Sequence, residues 1–137
     1  MGIEEHILEQ LRRVFEDYPT ILAVYAFGSR ATGLARKDSD YDLAIVSRRG
    51  EPARGRKLDI LADLVNAGVD NVDLAFLDHD NIVLSREAVR MNQLIFSRPE
   101  FDRGAFYSRI MRMYFDFLPY LKVQRQAMKE RILHGTA

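Results

Sequence analysis

Residues 21–27, Ile-Leu-Ala-Val-Tyr-Ala-Phe, form an apolar run bounded by Tyr18-Pro19 on one side and Gly28-Ser29 on the other. The run is too short for a globular helix and rich in branched and aromatic side chains, so it reads as a buried strand. A strand buried on both faces needs cover from other elements, and the flanking sequence supplies helical patterns on either side.

Upstream, residues 3–17 carry Ile3, Ile7, Leu8, Leu11, Val14 and Phe15 at helical spacing with charges between them. The residue before Pro19 is pushed out of the helical region, which ends that helix. Residues 30–39 read as a polar, glycine-containing loop with room for one helical turn after Ser29. Asp40 to Ser47 is a second strand, and Arg48 to Pro52 a turn. Residues 53–66 look helical, with Leu58, Leu61, Ala62 and Val65 on one face and Gly68 as the stop. Val72 to Leu77 reads as a third strand, 80–90 as a short helix and Gln93 to Ser97 as a fourth, edge strand. Residues 100–133 form one long helical pattern, with a kink or break expected near Leu118 because Pro119 sits inside it. Helices interleaved with strands imply an α+β arrangement in α/β layers: a small sheet flanked by helices, ending in a long C-terminal helix.

The chain of 137 residues is expected to form one domain, 1–137. Its 20 basic and 20 acidic residues cancel, which argues against a dedicated nucleic-acid binder, and no direct nucleic-acid partner is expected. The balance is uneven along the chain: residues 1–85 hold 15 acids and 10 bases, residues 86–137 hold 5 acids and 10 bases. The basic last third reads as a solvated helix surface or as a face for an acidic partner or a nucleotide. Arg48-Arg49 with Arg54, Arg56 and Lys57 reads as a solvated loop and helix start. No cysteine is present, which excludes disulfides and thiolate metal sites. His6, His79 and His134 are scattered and not at metal-ligand spacing, so all three read as surface residues. The acidic start lacks a signal peptide's basic and apolar regions, His6 stands where a myristoylation signal wants Ser or Thr, and no apolar run is long enough to span a bilayer. A cytoplasmic protein without a membrane partner is expected.

The chemistry-bearing stretch is Gly28 to Asp42. Asp40 and Asp42 are two apart at a strand start, so their carboxylates share one face while Tyr41 and Leu43 point to the other. Neighbouring carboxylates repel and are costly to bury unpaired. A hard divalent cation such as Mg²⁺, which prefers oxygen ligands, resolves that conflict. Gly28 ends the preceding strand, where glycine lets backbone approach a phosphate closely, and Ser29 adds a hydroxyl donor. Arg30, Arg36 and Lys37 lie in the intervening loop within reach of phosphates. Asp73, at the start of the third strand, completes the acidic cluster if that strand pairs beside the second. It would ligate metal and accept a proton from an acceptor hydroxyl. Two ions would clamp the attacking and leaving oxygens of an in-line displacement.

Gly28-Ser29, ten intervening residues and Asp40-x-Asp42 resemble the signature of the DNA polymerase β-type nucleotidyltransferase superfamily. Asp73, Leu77-Asp78, Ile82-Val83-Leu84, Glu87-Ala88-Val89, Gln93-Leu94-Ile95-Phe96 and the aromatic helix from Phe106 to Leu121 are similar to its minimal nucleotidyltransferase (MNT) antitoxin branch. The resemblance implies a small mixed sheet flanked by helices. It further implies a triphosphate held by Gly28 and Ser29 with Arg30 and Lys37, and two Mg²⁺ ions at Asp40, Asp42 and Asp73. Many relatives carry a basic residue two positions beyond the one matching Arg30. Here that residue is Thr32, so phosphate contact falls to Arg30, Arg36 or Lys37. Members of the branch are antitoxins paired with a HEPN-type ribonuclease toxin, and resemble enzymes that transfer AMP from ATP to a tyrosine of that toxin. This implies a type VII-like toxin–antitoxin pair acting as a hetero-oligomer. Two other functions remain open: a non-catalytic antitoxin that neutralises its partner by binding, favoured by aromatic and Met side chains on several faces of 101–121, and a small-molecule, antibiotic-type nucleotidyltransferase.

Overall fold

The computed structural model describes residues 3–28, 40–77 and 81–133. In chain order its elements are α1 (Glu5–Glu16), β1 (Ile21–Phe27), β2 (Tyr41–Ser47), a 3₁₀ turn (Ala53–Arg56), α2 (Lys57–Asn66), β3 (Val72–Phe76), α3 (Ile82–Met91), β4 (Gln93–Ser97) and α4 (Arg103–Leu133). The four strands form one mixed sheet in the order β3-β2-β1-β4. β1 is antiparallel to both β2 and β4, and β2 is parallel to β3. The crossover between those parallel strands is the 3₁₀ turn and α2, as a parallel pair requires.

Strand alternation sorts the core into two layers. Val24 and Ala26 of β1, with Leu43 and Ile45 of β2, pack on Leu11 and Phe15 of α1 and Ile60 and Leu64 of α2. Ala23 and Tyr25, with Ala44 and Val46, face Ala88 and Val89 of α3 and Phe106 and Ile110 of α4. Tyr25 anchors that second layer: it is 1% exposed, with Phe106 stacked at 6.0 Å and Phe101 edge-on at 6.4 Å. No helix among the described residues is long and apolar enough to cross a membrane.

The segment 53–66 differs from its expectation twice. Its first four residues wind as a 3₁₀ turn, and α2 buries Ile60 and Leu64 while Leu58, Ala62 and Val65 face outward, with Leu58 81% exposed. Two apolar stripes compete on this helix. Ala53 before it and Ala67 after it are packed in the same layer as Ile60 and Leu64. Gly68 ends it as expected, at φ +94°, with the Val69 N–H donating back to Leu64 O at 2.9 Å. Of the kink or break expected near Leu118, a break is absent: α4 continues through Pro119 as one helix of 31 residues. Pro119 faces solvent. His6 is exposed beside Glu4 as expected, and His79 and His134 lie outside the described residues.

Arg98 joins the first layer's helix to the sheet. Just beyond β4, its Nε donates to Ile21 O at 2.7 Å, and its terminal nitrogen donates to the carbonyls of Tyr18 (2.9 Å), Glu16 (3.1 Å) and Phe15 (3.3 Å). A guanidinium at the C-terminal end of α1 adds a charged donor to carbonyls in and just beyond its last turn and complements the helix dipole. Arg98→Ala is expected to destabilise the fold by about 2–3 kcal/mol in urea unfolding, since several charge-assisted bonds go together. Arg98→Lys should recover only part of this, because an ammonium cannot reproduce the planar fork.

Candidate active site

The site is assembled by strand register. Phe27, the last residue of β1, lies opposite Asp42, and Asp42 lies beside Asp73 across the parallel β2–β3 pair. By alternation Asp42 shares a face with Ala44 and Val46, and Asp73 shares it with Ala75. Tyr41 and Leu43 turn into the other layer. Adjacent strands run about 4.8 Å apart, so two carboxylates in register on one face are neighbours. Asp40 precedes β2 and is exposed, as is Asp73, whereas Asp42 is half-buried. The Tyr41 N–H donates to Asn71 O at 2.8 Å, which ties the entrance of β2 to that of β3 and keeps the three aspartates at one end of the sheet.

The Asp42 carboxyl is pushed above the usual carboxylate range, first by burial, then by the charges of Asp73 and of Asp40. Gly28 lies against the same group. Its φ is +69°, and a Cβ there would collide with Asp42 Oδ2 and stand 3.3 Å from its Cγ. Glycine is therefore required twice, by the left-handed backbone and by the close carboxylate. This role of Gly28 is additional to the close phosphate approach expected of it. The missed role had one signal, a glycine directly after a strand whose last residue pairs with an aspartate, and it becomes readable only once the β1–β2 register is known.

Of the residues expected at the site, Asp40, Asp42, Asp73 and Gly28 are gathered at this sheet end. Ser29, Arg30, Arg36 and Lys37 lie outside the described residues. Among the described residues no group of three His, Cys, Asp or Glu side chains converges into a metal cage. The arrangement is a coupled pair, Asp42 and Asp73, flanked by Asp40. An all-oxygen, half-open donor set, in which burial and then neighbouring negative charge raise a carboxyl pKa, fits a hard dication that keeps water and substrate oxygens among its ligands. It does not fit a closed structural site.

Residues 9–101 match the family model described as Polymerase beta, Nucleotidyltransferase. The chain is 26% identical over 136 residues to the protein adenylyltransferase MntA of Shewanella oneidensis, covering 98% of this chain and 90% of that one. Among solved structures it resembles a chain in a crystal structure of a toxin–antitoxin with AMP-PNP, with TM-score 0.67, 24% identity, and coverage of 96% of this chain and 99% of that chain. It also resembles a chain in the structure of tri-AMPylated Shewanella oneidensis HEPN toxin in complex with MNT antitoxin, with TM-score 0.66, 20% identity, and the same coverage. These structural likenesses show the fold: a small mixed sheet flanked by helices.

Folded Asp42 holds its proton to higher pH than an unfolded aspartate, so between those two pKa values the native state binds more protons. Stability then falls as pH rises through that window. Without divalent cations, Asp42→Asn is expected to melt a few degrees above the wild type at pH 7. It should also lose the part of the stability change near the carboxylate range that Asp42 causes, as followed by thermal denaturation across pH. Gly28→Ala should act in the opposite sense and lower stability by about 1–2 kcal/mol from the left-handed backbone alone, again read by thermal or urea unfolding.

Proposed function

Because the chain belongs to the Polymerase beta nucleotidyltransferase family, we propose that it transfers AMP from ATP to a tyrosine hydroxyl of a HEPN-type ribonuclease toxin, and is the antitoxin of that pair. The observation that carries this is the register of Asp42 beside Asp73 on parallel strands, with Gly28 closed against Asp42. Similarity to a protein adenylyltransferase over 98% of the chain supports the acceptor class. Likeness of fold to chains in a toxin–antitoxin structure with AMP-PNP and in one of an AMPylated HEPN toxin with MNT antitoxin supports the donor and the partner.

In this reading Asp40, Asp42 and Asp73 hold two Mg²⁺ ions. When bound, Mg²⁺ neutralises the triphosphate and orients the α-phosphate. Gly28 leaves room for the nucleotide beside Asp42, and Ser29, Arg30 and Lys37 take phosphate oxygens. The tyrosine oxygen forms a bond to the α-phosphorus, the bond to the bridging oxygen breaks and pyrophosphate leaves in line. The phenolic proton passes to the Asp73 carboxylate, which its exposure leaves open to an incoming substrate. The rest of the acceleration comes from positioning and charge neutralisation.

Neutralisation by occlusion is favoured by one observation: α4 leaves Phe115, Tyr120, Val123 and Ile132 more than half exposed. Intact-mass spectrometry of the HEPN partner, incubated with the chain, ATP and Mg²⁺, separates the two. Whole AMP additions are expected with the wild type. Asp42→Asn should abolish them, a loss of at least about 100-fold, while remaining folded by circular dichroism. A partner that co-purifies but never gains mass would refute transfer and leave occlusion.

A further inference from the structure

At the opposite end of the sheet from Asp42, a groove of about 800 Å³ runs between the β2–α2 connection and α4. Its rim carries Arg48, Arg49 and Arg54 on one side and Arg109 on the other, over a floor that includes Phe76, Leu77, Ile110 and Met113. A smaller hollow of about 220 Å³ adjoins it and shares Ser47, Arg49 and Arg109. Arg48 is engaged within the fold: it donates to Pro19 O at 3.1 Å and lies 3.7 Å from Glu100 and 4.0 Å from Glu51. Arg49 and Arg109 have no ion pair among the described residues, and the Arg109 guanidinium rests over the Phe106 ring at 5.4 Å. The one acid lining the smaller hollow, Asp102, uses an oxygen to accept the Ala105 N–H at 3.0 Å, which caps the start of α4.

We infer that this groove docks an acidic, apolar segment of the protein substrate, as a second contact separate from the transfer site. The inference rests on the reading of the chain as an enzyme that modifies a protein. Arg49 and Arg109, with no ion pair among the described residues and standing over an apolar floor, match a segment in which carboxylates alternate with leucine-like side chains. A nucleic acid fits less well. Phe76 is buried and the Phe106 face is covered by Arg109, so the groove offers bases no open aromatic surface to stack on. Asp42 and Ser47 are five residues apart on β2, about 17 Å. A folded protein spans that distance and can engage both sites at once. Docking there would raise affinity for the correct acceptor and leave the chemistry at Asp42 unchanged.

The test is fluorescence anisotropy at low salt, without nucleotide, with a labelled peptide alternating glutamate and leucine around one tyrosine. A lysine-for-glutamate peptide and a short single-stranded RNA serve as comparisons. The acidic peptide is expected to bind the wild type and Asp42→Asn equally, and to bind Arg49→Glu/Arg109→Glu at least about tenfold more weakly. Arg49→Glu/Arg54→Glu leaves the Arg109–Phe106 contact in place and should weaken binding in the same direction. Equal binding of the lysine peptide, unchanged affinity in both double variants, or displacement of the acidic peptide by the RNA would overturn the proposal. Because no nucleotide is present, lost docking with AMP transfer intact refutes only the groove. Intact docking with no transfer to the HEPN partner refutes only the enzymatic reading.

Discussion

The repulsion between Asp42 and Asp73 is the constraint from which the functional end of the molecule follows. Two carboxylates in register on adjacent parallel strands cannot drift apart, because the β2–β3 ladder and the buried Leu43, Ile45, Leu74 and Phe76 behind it fix both strands. A one-residue slip would turn both aspartates into the apolar layer. Burial of the apolar set therefore enforces an electrostatic arrangement that is unfavourable in isolation. The raised Asp42 pKa reflects burial first and that repulsion second, and a bound cation opposes both.

The same logic explains why the site sits at a sheet end and why the helices lie elsewhere. α1 and α2 cover one face, while α3 and the first turns of α4 cover the other around Tyr25 and Phe106. Arg98 ties the C-terminal end of α1 to the start of β1, and the Tyr18 hydroxyl donates to Asp63 to join α1 to α2. Burial, then the Asp63 bond, pushes the Tyr18 phenol to about 12. With the scaffold braced on both faces, the strand ends at Phe27, Tyr41 and Val72 can carry polar groups facing outward.

Much of this was legible in the residues. Short apolar runs ended by glycine or proline identify β1 and β2, and the alternation of Asp42 with Tyr41 and Leu43 puts it on the opposite face from them, as expected. What escaped the sequence depended on distant partners. The buried stripe of α2 is not readable locally, because Leu58 and Val65 are as apolar as Ile60 and Leu64 and only packing against α1 and the sheet separates them. α4 is not broken at Pro119, where a kink or a break is expected from local rules. Asp40 falls just outside β2, since ladder pairing begins at Tyr41. The arginine groove was invisible because Arg49 and Arg109 belong to separate segments that meet only after α4 crosses the sheet end.

The most direct test of the central claim is carboxyl-carbon NMR of ¹³C-aspartate-labelled protein, titrated across pH with and without Mg²⁺ and a non-hydrolysable ATP analogue. Asp42 should titrate above the ordinary carboxylate range in the free protein, move only part of the way back in Asp73→Asn because burial and Asp40 remain, and fall once cation and nucleotide bind. An Asp42 resonance that titrates in the ordinary range in all three states would contradict the account, because the two carboxylates would then neither sense each other nor share a cation.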